Sequence, residues 1–454
     1  MRINSSGNLE IGDCDTVELA HTFGTPLYVL DEKEIRGRCR IYVESLRNAY
    51  PNSQVLYAGK AFLTKAMCRI VEQEGLGLDV VSGGELYTAL SAGFPAERIY
   101  FHGNNKSPDE IAMGVEAGVH RFIVDSLHEM ALLEEMSASS DSRSNVILRI
   151  APGVEAHTHT YMRTGQVDSK FGFGIGDGRA VEAVELALKS PHLRLCGLHS
   201  HIGSQIFAAE SFALAASIMV DFMDHLRQRF GLTVEELDLG GGIGIRYSAE
   251  DTPLPISAFV RTITDVLIAE CRKREVPLPR LLIEPGRSIV GEAGTTLYTV
   301  GAIKDIPNVR KYVFVDGGMA DNPRVALYQS KYEALIANKA ADPPREKVTI
   351  AGKCCESGDI LIWDIELPVA ESGDILAVFS TGAYNYSMAS NYNRLTRPAV
   401  VLVRDGEADL IVRREAYCDL VRNDCLPERL VKAEGQSPVS VESYNELPGK
   451  STCV

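Results

Sequence analysis

QVLYAGKAFLTKAMCRIVEQEGLGLDVVSGGE, residues 54–85, decides the fold. QVLYA (54–58) reads as a short apolar strand, and LGLDVV (76–81) as the next. A helix-like stretch separates them, and strand–helix–strand order gives a parallel pair. Lys60 stands where the first strand runs out, between Gly59 and Ala61. Ser82-Gly83-Gly84-Glu85 closes the second strand as a polar turn.

The same unit recurs outward to residue 290. Further strands are RIYFH (98–102), RFIVD (121–125), NVILRI (145–150), LRLCGL (193–198), ELDL (236–239) and RLLIE (280–284). Amphipathic stretches such as PDEIAMGVEAG (108–118) and AVEAVELALKS (180–190) lie between them. Eight units predict a (β/α)8 TIM barrel rather than a doubly wound open sheet, since no G-x-G-x-x-G follows the first strand. After residue 290 the texture changes to Val- and Ile-rich strands: YVFVDGG (312–318), KVTIAGK (347–353), DILAVF (374–379) and a hairpin over 398–415 with Asp405-Gly406 at its turn. The fold class is therefore α/β plus β: a barrel with a C-terminal β-sandwich or β-barrel domain, which PLYVLD (26–31) is expected to join. The predicted boundaries are an N-terminal segment 1–34, the barrel 35–290, the β-domain 291–425 and a polar tail 426–454.

Bulk properties narrow the function. A net charge of -15 disfavours phosphate backbones and anionic membrane as partners. No apolar run approaches membrane-helix length, and MRINSSGNLEIGDCD carries no signal segment, so a cytosolic location is expected. The ten cysteines are scattered without a C-x-x-C pair, which is not a disulfide framework.

Barrels do their chemistry at the C-terminal ends of the strands. There stand Lys60, Asp79, His102 with Asn104, His199 with His201, the run Gly240-Gly241-Gly242 in GGGIG, and Glu284 in EPGR. Consecutive glycines let backbone N–H groups approach an anion, and the last two loops are the usual phosphate site of such barrels. Ser204 can add a hydrogen bond. A phosphate with a lysine across the barrel points to pyridoxal 5′-phosphate. Lys60 would condense with its aldehyde, Glu284 would keep its pyridine nitrogen protonated, and His201 would stack on the ring. A rival metal reading takes His199 and His201, two apart on a strand, as a ligand pair of a barrel hydrolase. It lacks a third ligand and leaves the glycine run without a role. His157 and His159 are read as loop residues.

YAGKA, HIGSQ, DLGGGIG, EPGR, KCCESGD and GAYNYSMASNYN, in this order, together with HTHTYMRTGQVDSKFGFG, closely resemble the diaminopimelate decarboxylase family. The resemblance runs from about residue 20 to 420. It implies that Lys60 carries the cofactor, and that Ser204, Gly240 to Gly242, Gly286 and Tyr384 hold the phosphate. Arg287 is counted with the cofactor and substrate contacts. Arg324, Tyr328, Glu356 and Tyr384 would bind substrate, and Cys355 would donate a proton. The CESGD loop would reach the neighbouring subunit's site, which implies a homodimer with shared active sites. The reaction implied is decarboxylation of meso-2,6-diaminopimelate to L-lysine. An arginine pair with Glu356 suits a zwitterionic far end. Two rival functions remain at this stage: a related decarboxylase with another amino acid substrate, and a cofactor-binding protein without turnover. Asn385 stands where the resemblance expects glycine, and asparagine is expected to tolerate a left-handed backbone there.

Overall fold

The computed structural model describes residues 1–154 and 169–430. His157, His159 and the rest of the HTHTYMRTG stretch fall outside the described residues, as does the tail from residue 431. The chain forms two units: Glu34–Gly291, and Met1–Lys33 with the described residues from Glu292 onward.

The first unit is a closed parallel barrel. Its strands are β1 (Ser53–Ala58), β2 (Gly77–Val80), β3 (Ile99–Phe101), β4 (Arg121–Val124), β5 (Ser144–Ala151), β6 (Leu193–His199), β7 (Glu236–Asp238) and β8 (Arg280–Ile283). Each pairs in parallel with its successor, and β8 pairs with β1 to close the ring, with Leu282 opposite Gln54. An open doubly wound sheet has no such closure. Leu56, Tyr100, Ile123, Ile147 and Leu282 pack together inside, one from each of five strands, so the lumen is a core and not a pore.

Local signals explain why the helices begin where they do. Thr64, Ser82, Ser107 and Ser126 cap four of them, each hydroxyl accepting a first-turn N–H. Such a cap stabilises a helix by ~1 kcal/mol. At Ser107 the cap is reciprocal: Glu110 accepts the Ser107 N–H, and Pro108 supplies a preset first turn. Gly118 ends that helix in a left-handed conformation.

The second unit is a β-domain. Its main sheet runs Ile360–Leu367, Glu346–Ala351, Arg310–Val315, Gly294–Ile306, Leu27–Asp31, Ala399–Arg404, Glu407–Val412. The N-terminal strand thus sits inside this sheet, antiparallel to Gly294–Ile306 and parallel to Ala399–Arg404. The hub is the 13-residue strand Gly294–Ile306, which the sequence pattern passed over. Its Thr- and Gly-rich start, GTTLYTVG, hides a buried strand behind modest hydropathy. The hairpin is as read: Asp405 and Gly406 both have positive φ (53° and 82°), the type I′ geometry that matches strand twist. Leu27, Val29, Leu297, Ala377, Val401 and Val403 form the centre of its core. Among the described residues no helix is long and apolar enough to cross a membrane.

Candidate active site

Lys60 follows β1 in a short turn, Gly59–Ala61, half-buried at the C-terminal end of the barrel strands. Around this end the strands deliver a buried set of ionisable groups. Glu284 leaves β8, His102 leaves β3, His199 ends β6, Asp238 ends β7 and Asp79 lies near the end of β2. Glu284 Oε1 is 2.7 Å from His102 Nε2, and Oε2 is 3.3 Å from His199 Nε2. The first contact is close but off the angle of a good hydrogen bond; the second is a hydrogen bond. Burial alone would raise the Glu284 carboxyl, but His102 and His199 outweigh it and hold it well below the usual range. Asp238 moves the other way, pushed well up by burial and then by the Glu284 charge. The pair settles as an ionised Glu284 beside a protonated Asp238. Burial pushes the His199 imidazole down to about 4.

The glycine run after β7 is a cradle that no side chain could share. A Cβ on Gly241 would sit 2.0 Å from the Glu284 carbonyl oxygen. A Cβ on Gly242, at φ 113°, would sit 2.1 Å from the Gly203 carbonyl oxygen. The Gly241 N–H donates to His201 Nδ1 at 3.2 Å, which orients that ring. Burial, and then the Lys60 and Arg149 charges, press the His201 imidazole well below its ordinary value, so it is neutral and suited to face an aromatic ring. Gln205, which the sequence reading left without a role, clamps the loop: its Nε2 donates to the Ile245 carbonyl at 2.7 Å and its Oε1 accepts the Ile245 N–H at 3.2 Å. Arg287 donates to Ser204 Oγ at 3.0 and 3.3 Å and to Tyr247 Oη at 2.6 Å. Gly286 lies against Ala58, where a Cβ would come within 3.0 Å.

This donor set fits pyridoxal phosphate. A buried carboxylate kept ionised suits a protonated ring nitrogen, and a glycine cradle flanked by Ser204 and Arg287 suits a phosphate. The metal reading changes shape. His199 and His201 do not act as a pair: one turns to Glu284, the other to Gly241. The set among the described residues whose ligand atoms could meet around an ion is His102, His199, Asp238 and Glu284, all buried. That set centres on the carboxylate that the cofactor reading already employs.

The β-domain holds the other expected residues. Arg324 is buried, and its Nη1 donates to Tyr332 Oη at 2.8 Å. Tyr328 lies on the same short helix, Arg324–Tyr328, half-buried. In KCCESGD the two cysteines part company. Cys354 is buried and its thiol is pushed up to about 11 by burial and then by Asp359; Cys355 is exposed. Asp359 shapes the loop, accepting N–H groups from Met319 at 2.6 Å and Cys354 at 2.7 Å. The Cys355 N–H donates to Asn393 Oδ1 at 2.7 Å. Glu356 is exposed. The expectation for Asn385 needs correction. Asn385 has φ -100°, and the left-handed residue is Tyr384, at φ 62°. The strain that the glycine was expected to relieve falls one residue earlier, on an aromatic side chain.

Sequence reasoning noted Asp79 and His102 but gave them no task, and it missed Asp238 and Arg149. Asp238 hides inside ELDL, where an alternating strand makes any carboxylate look solvent-facing. Arg149, in β5, is half-buried, with its Nε 3.6 Å from Asp125.

Comparison with known proteins supports the pyridoxal phosphate reading. Residues 34–291 match the family model described as pyridoxal-dependent decarboxylase, pyridoxal binding domain. The chain is 53% identical to the diaminopimelate decarboxylase of Bacillus subtilis, covering 93% of this chain and 96% of that one. It is 48% identical to the Synechocystis diaminopimelate decarboxylase, over 94% and 92% of the two chains. A crystal structure of diaminopimelate decarboxylase from M. jannaschii in complex with L-lysine superposes with a TM-score of 0.87 at 38% identity, over 95% of this chain and 98% of that one.

Proposed function

The chain belongs to the diaminopimelate decarboxylases, a family of pyridoxal-dependent enzymes, and on that premise we propose how its residues perform the reaction. The substrate is meso-2,6-diaminopimelate and the products are L-lysine and carbon dioxide. Bound pyridoxal phosphate supplies an aldehyde that joins amines and a ring that withdraws electrons from the bond being broken. The observation that carries the reading is Glu284: a buried carboxylate, held ionised by two histidines, at the strand ends that also bear Lys60.

Lys60 holds the cofactor through its amine. Glu284 keeps a proton on the ring nitrogen, and neutral His201 covers the ring face. Gly240 to Gly242, Gly286, Ser204 and Tyr384 bind the phosphate. Arg287, Arg324, Tyr328, Glu356 and Tyr384 hold the substrate, the arginines taking carboxylate and Glu356 taking ammonium. Cys355, exposed at the thiol-bearing tip of its loop, returns a proton to the carbon that loses carbon dioxide. The working form is a homodimer in the cytosol, in which Cys355 serves the site of a second copy.

The test is direct. Wild-type protein with pyridoxal phosphate and meso-diaminopimelate should release carbon dioxide and L-lysine, and Lys60→Ala should release almost none. Borohydride should trap cofactor on the wild type alone. Absence of lysine with trapping intact overturns the substrate; absence of both overturns the cofactor assignment to Lys60. The shared site has its own test. Lys60→Ala and Cys355→Ala, each nearly inactive, should regain about a quarter of wild-type activity when mixed and allowed to exchange subunits, since half the dimers then carry one intact site. No recovery despite exchange overturns the sharing.

A further inference from the structure

Asn385 is wholly buried, and its side chain does one visible thing. Its Oδ1 accepts the hydroxyl proton of Tyr332 at 3.2 Å. The Tyr332 oxygen in turn accepts from Arg324 Nη1 at 2.8 Å. Tyr332 and Arg324 are themselves buried, at 4% and 2% exposure. The three residues come from different segments of the β-domain: the short helix that begins at Arg324, the stretch after it, and the loop that follows Ala383.

The direction of this chain is forced by its charged end. A guanidinium only donates, so the Tyr332 oxygen must accept from Arg324. The hydroxyl proton is then left to point elsewhere, and Asn385 Oδ1 receives it. Accepting from a cation also polarises the hydroxyl and strengthens the bond it donates. Remove the acceptor at 385 and the buried hydroxyl loses that bond and the direction it gives the proton. Its oxygen lone pair is then held less firmly toward Arg324.

The rest of the amide argues that stability did not choose it. Asn385 Nδ2 is buried and has no hydrogen-bond partner among the described residues. A buried amide donor left unmade is a penalty. The resemblance expects glycine here, and glycine would carry no such penalty. The backbone does not ask for asparagine either, because the left-handed residue is Tyr384.

We propose that Asn385 is a positioning residue for substrate, acting through Tyr332 to aim the Arg324 guanidinium at the far carboxylate. This rests on the reading of Arg324 as a substrate residue, and the experiment separates the two. Steady-state kinetics with meso-diaminopimelate would be run on Arg324→Ala, Tyr332→Phe and Asn385→Gly, and on each of the last two combined with Arg324→Ala. The relay predicts that Tyr332→Phe and Asn385→Gly each raise KM about tenfold, the weight of one hydrogen bond to a charged group, with kcat within about twofold. In the Arg324→Ala background both should change KM by less than about twofold, because the group they aim is gone.

If Arg324→Ala leaves KM unchanged, the substrate role of Arg324 falls, and the relay with it. If Arg324→Ala raises KM but the other two do not, or raise it equally in both backgrounds, the relay alone is overturned. Thermal unfolding of each variant guards against a merely structural loss, which would lower Tm without this pattern in KM. Should Asn385→Gly fail to fold, Tyr332→Phe carries the test, since it removes one oxygen and leaves the loop backbone unchanged.

Discussion

At the strand-start end of the barrel, Arg121 of β4 gives Nε and Nη2 to the two oxygens of Glu236 of β7, each at 3.0 Å. At the strand-finish end, Glu284 lies between His102 and His199, with Asp79 and Asp238 beside them. Both sets are buried, and both place a carboxylate among nitrogen donors. The first is matched fork to fork. In the second, Asp79 Oδ1 and His199 Nδ1 have no hydrogen-bond partner among the described residues, and Glu284 Oε1 lacks a well-angled one. Buried polar atoms are seldom left unmatched unless something else completes them. One end of the barrel is finished for stability, and the other is kept open for a ligand.

The largest expected effect comes from closing the open end. Glu284→Gln keeps the shape and removes the charge. It should lower kcat by about 10²–10³-fold, the usual weight of a preorganised electrostatic group. Borohydride should still trap cofactor on Lys60, and Tm should hardly move. Unchanged turnover would mean that the open end is not a working site, and the contrast between the two ends would fail.

Next is the matched end. Glu236→Gln leaves the Arg121 guanidinium buried without its charge partner, which should destabilise the fold by ~3–5 kcal/mol. Per-site kcat of the folded fraction should stay within about twofold, because Glu236 begins its strand while the chemistry sits at the finish. Chemical denaturation read beside activity would check both halves. A large kcat loss in well-folded Glu236→Gln would break the division of labour.

The third effect is a pH dependence owned by the open end. His199 is pushed down to about 4 by burial, against 6.5 for the free side chain. As pH falls below 6.5 the unfolded chain takes up a proton that the folded chain refuses. Stability from this group is therefore complete above pH 6.5, is lost as pH drops toward 4, and changes little below. The full loss is at most ~3 kcal/mol. Urea unfolding of cofactor-free protein between pH 7.5 and 4 should show the decline, and His199→Gln should make it shallower. An equal slope in both proteins would mean that His199 does not remain neutral in the fold.

The barrel was legible because each strand is a short apolar run bounded by glycine, proline or polar turns, so all eight stand out by composition. Lys60, Glu284 and the glycine run were legible for a related reason: each breaks the pattern at a strand end. What stayed hidden needs three dimensions. Gly294–Ile306 is buried by its neighbours, not by its own hydropathy. Asp238 and Glu236 share the stretch ELD, and nothing local tells that one closes an ion pair at the strand start while the other borders Glu284 at the finish. At Asn385 the expected left-handed backbone falls instead on Tyr384, because a positive φ can settle on either side of an unexpected residue.

The smallest effect sharpens the comparison most, because it sets a shorter but exposed pair beside a longer but buried one. Glu235 precedes Glu236, and in an extended chain neighbours point to opposite faces. Glu235 takes Nη2 of Arg194 on both its oxygens, at 2.6 and 2.7 Å, shorter than the 3.0 Å contacts between Arg121 and Glu236. Distance alone would rank the Arg194 pair as the stronger. But its side chains are 43% and 50% exposed, against 8% and 5% for the inner pair. Water and salt screen the outer attraction, and two mobile side chains must be ordered to make it. Glu235→Gln should therefore change stability by no more than ~1 kcal/mol, several times less than Glu236→Gln one residue along. Added salt should shrink the outer effect and leave the inner one largely intact. Equal losses at 235 and 236 would show that contact geometry, and not the solvent it excludes, sets the strength of the finished end.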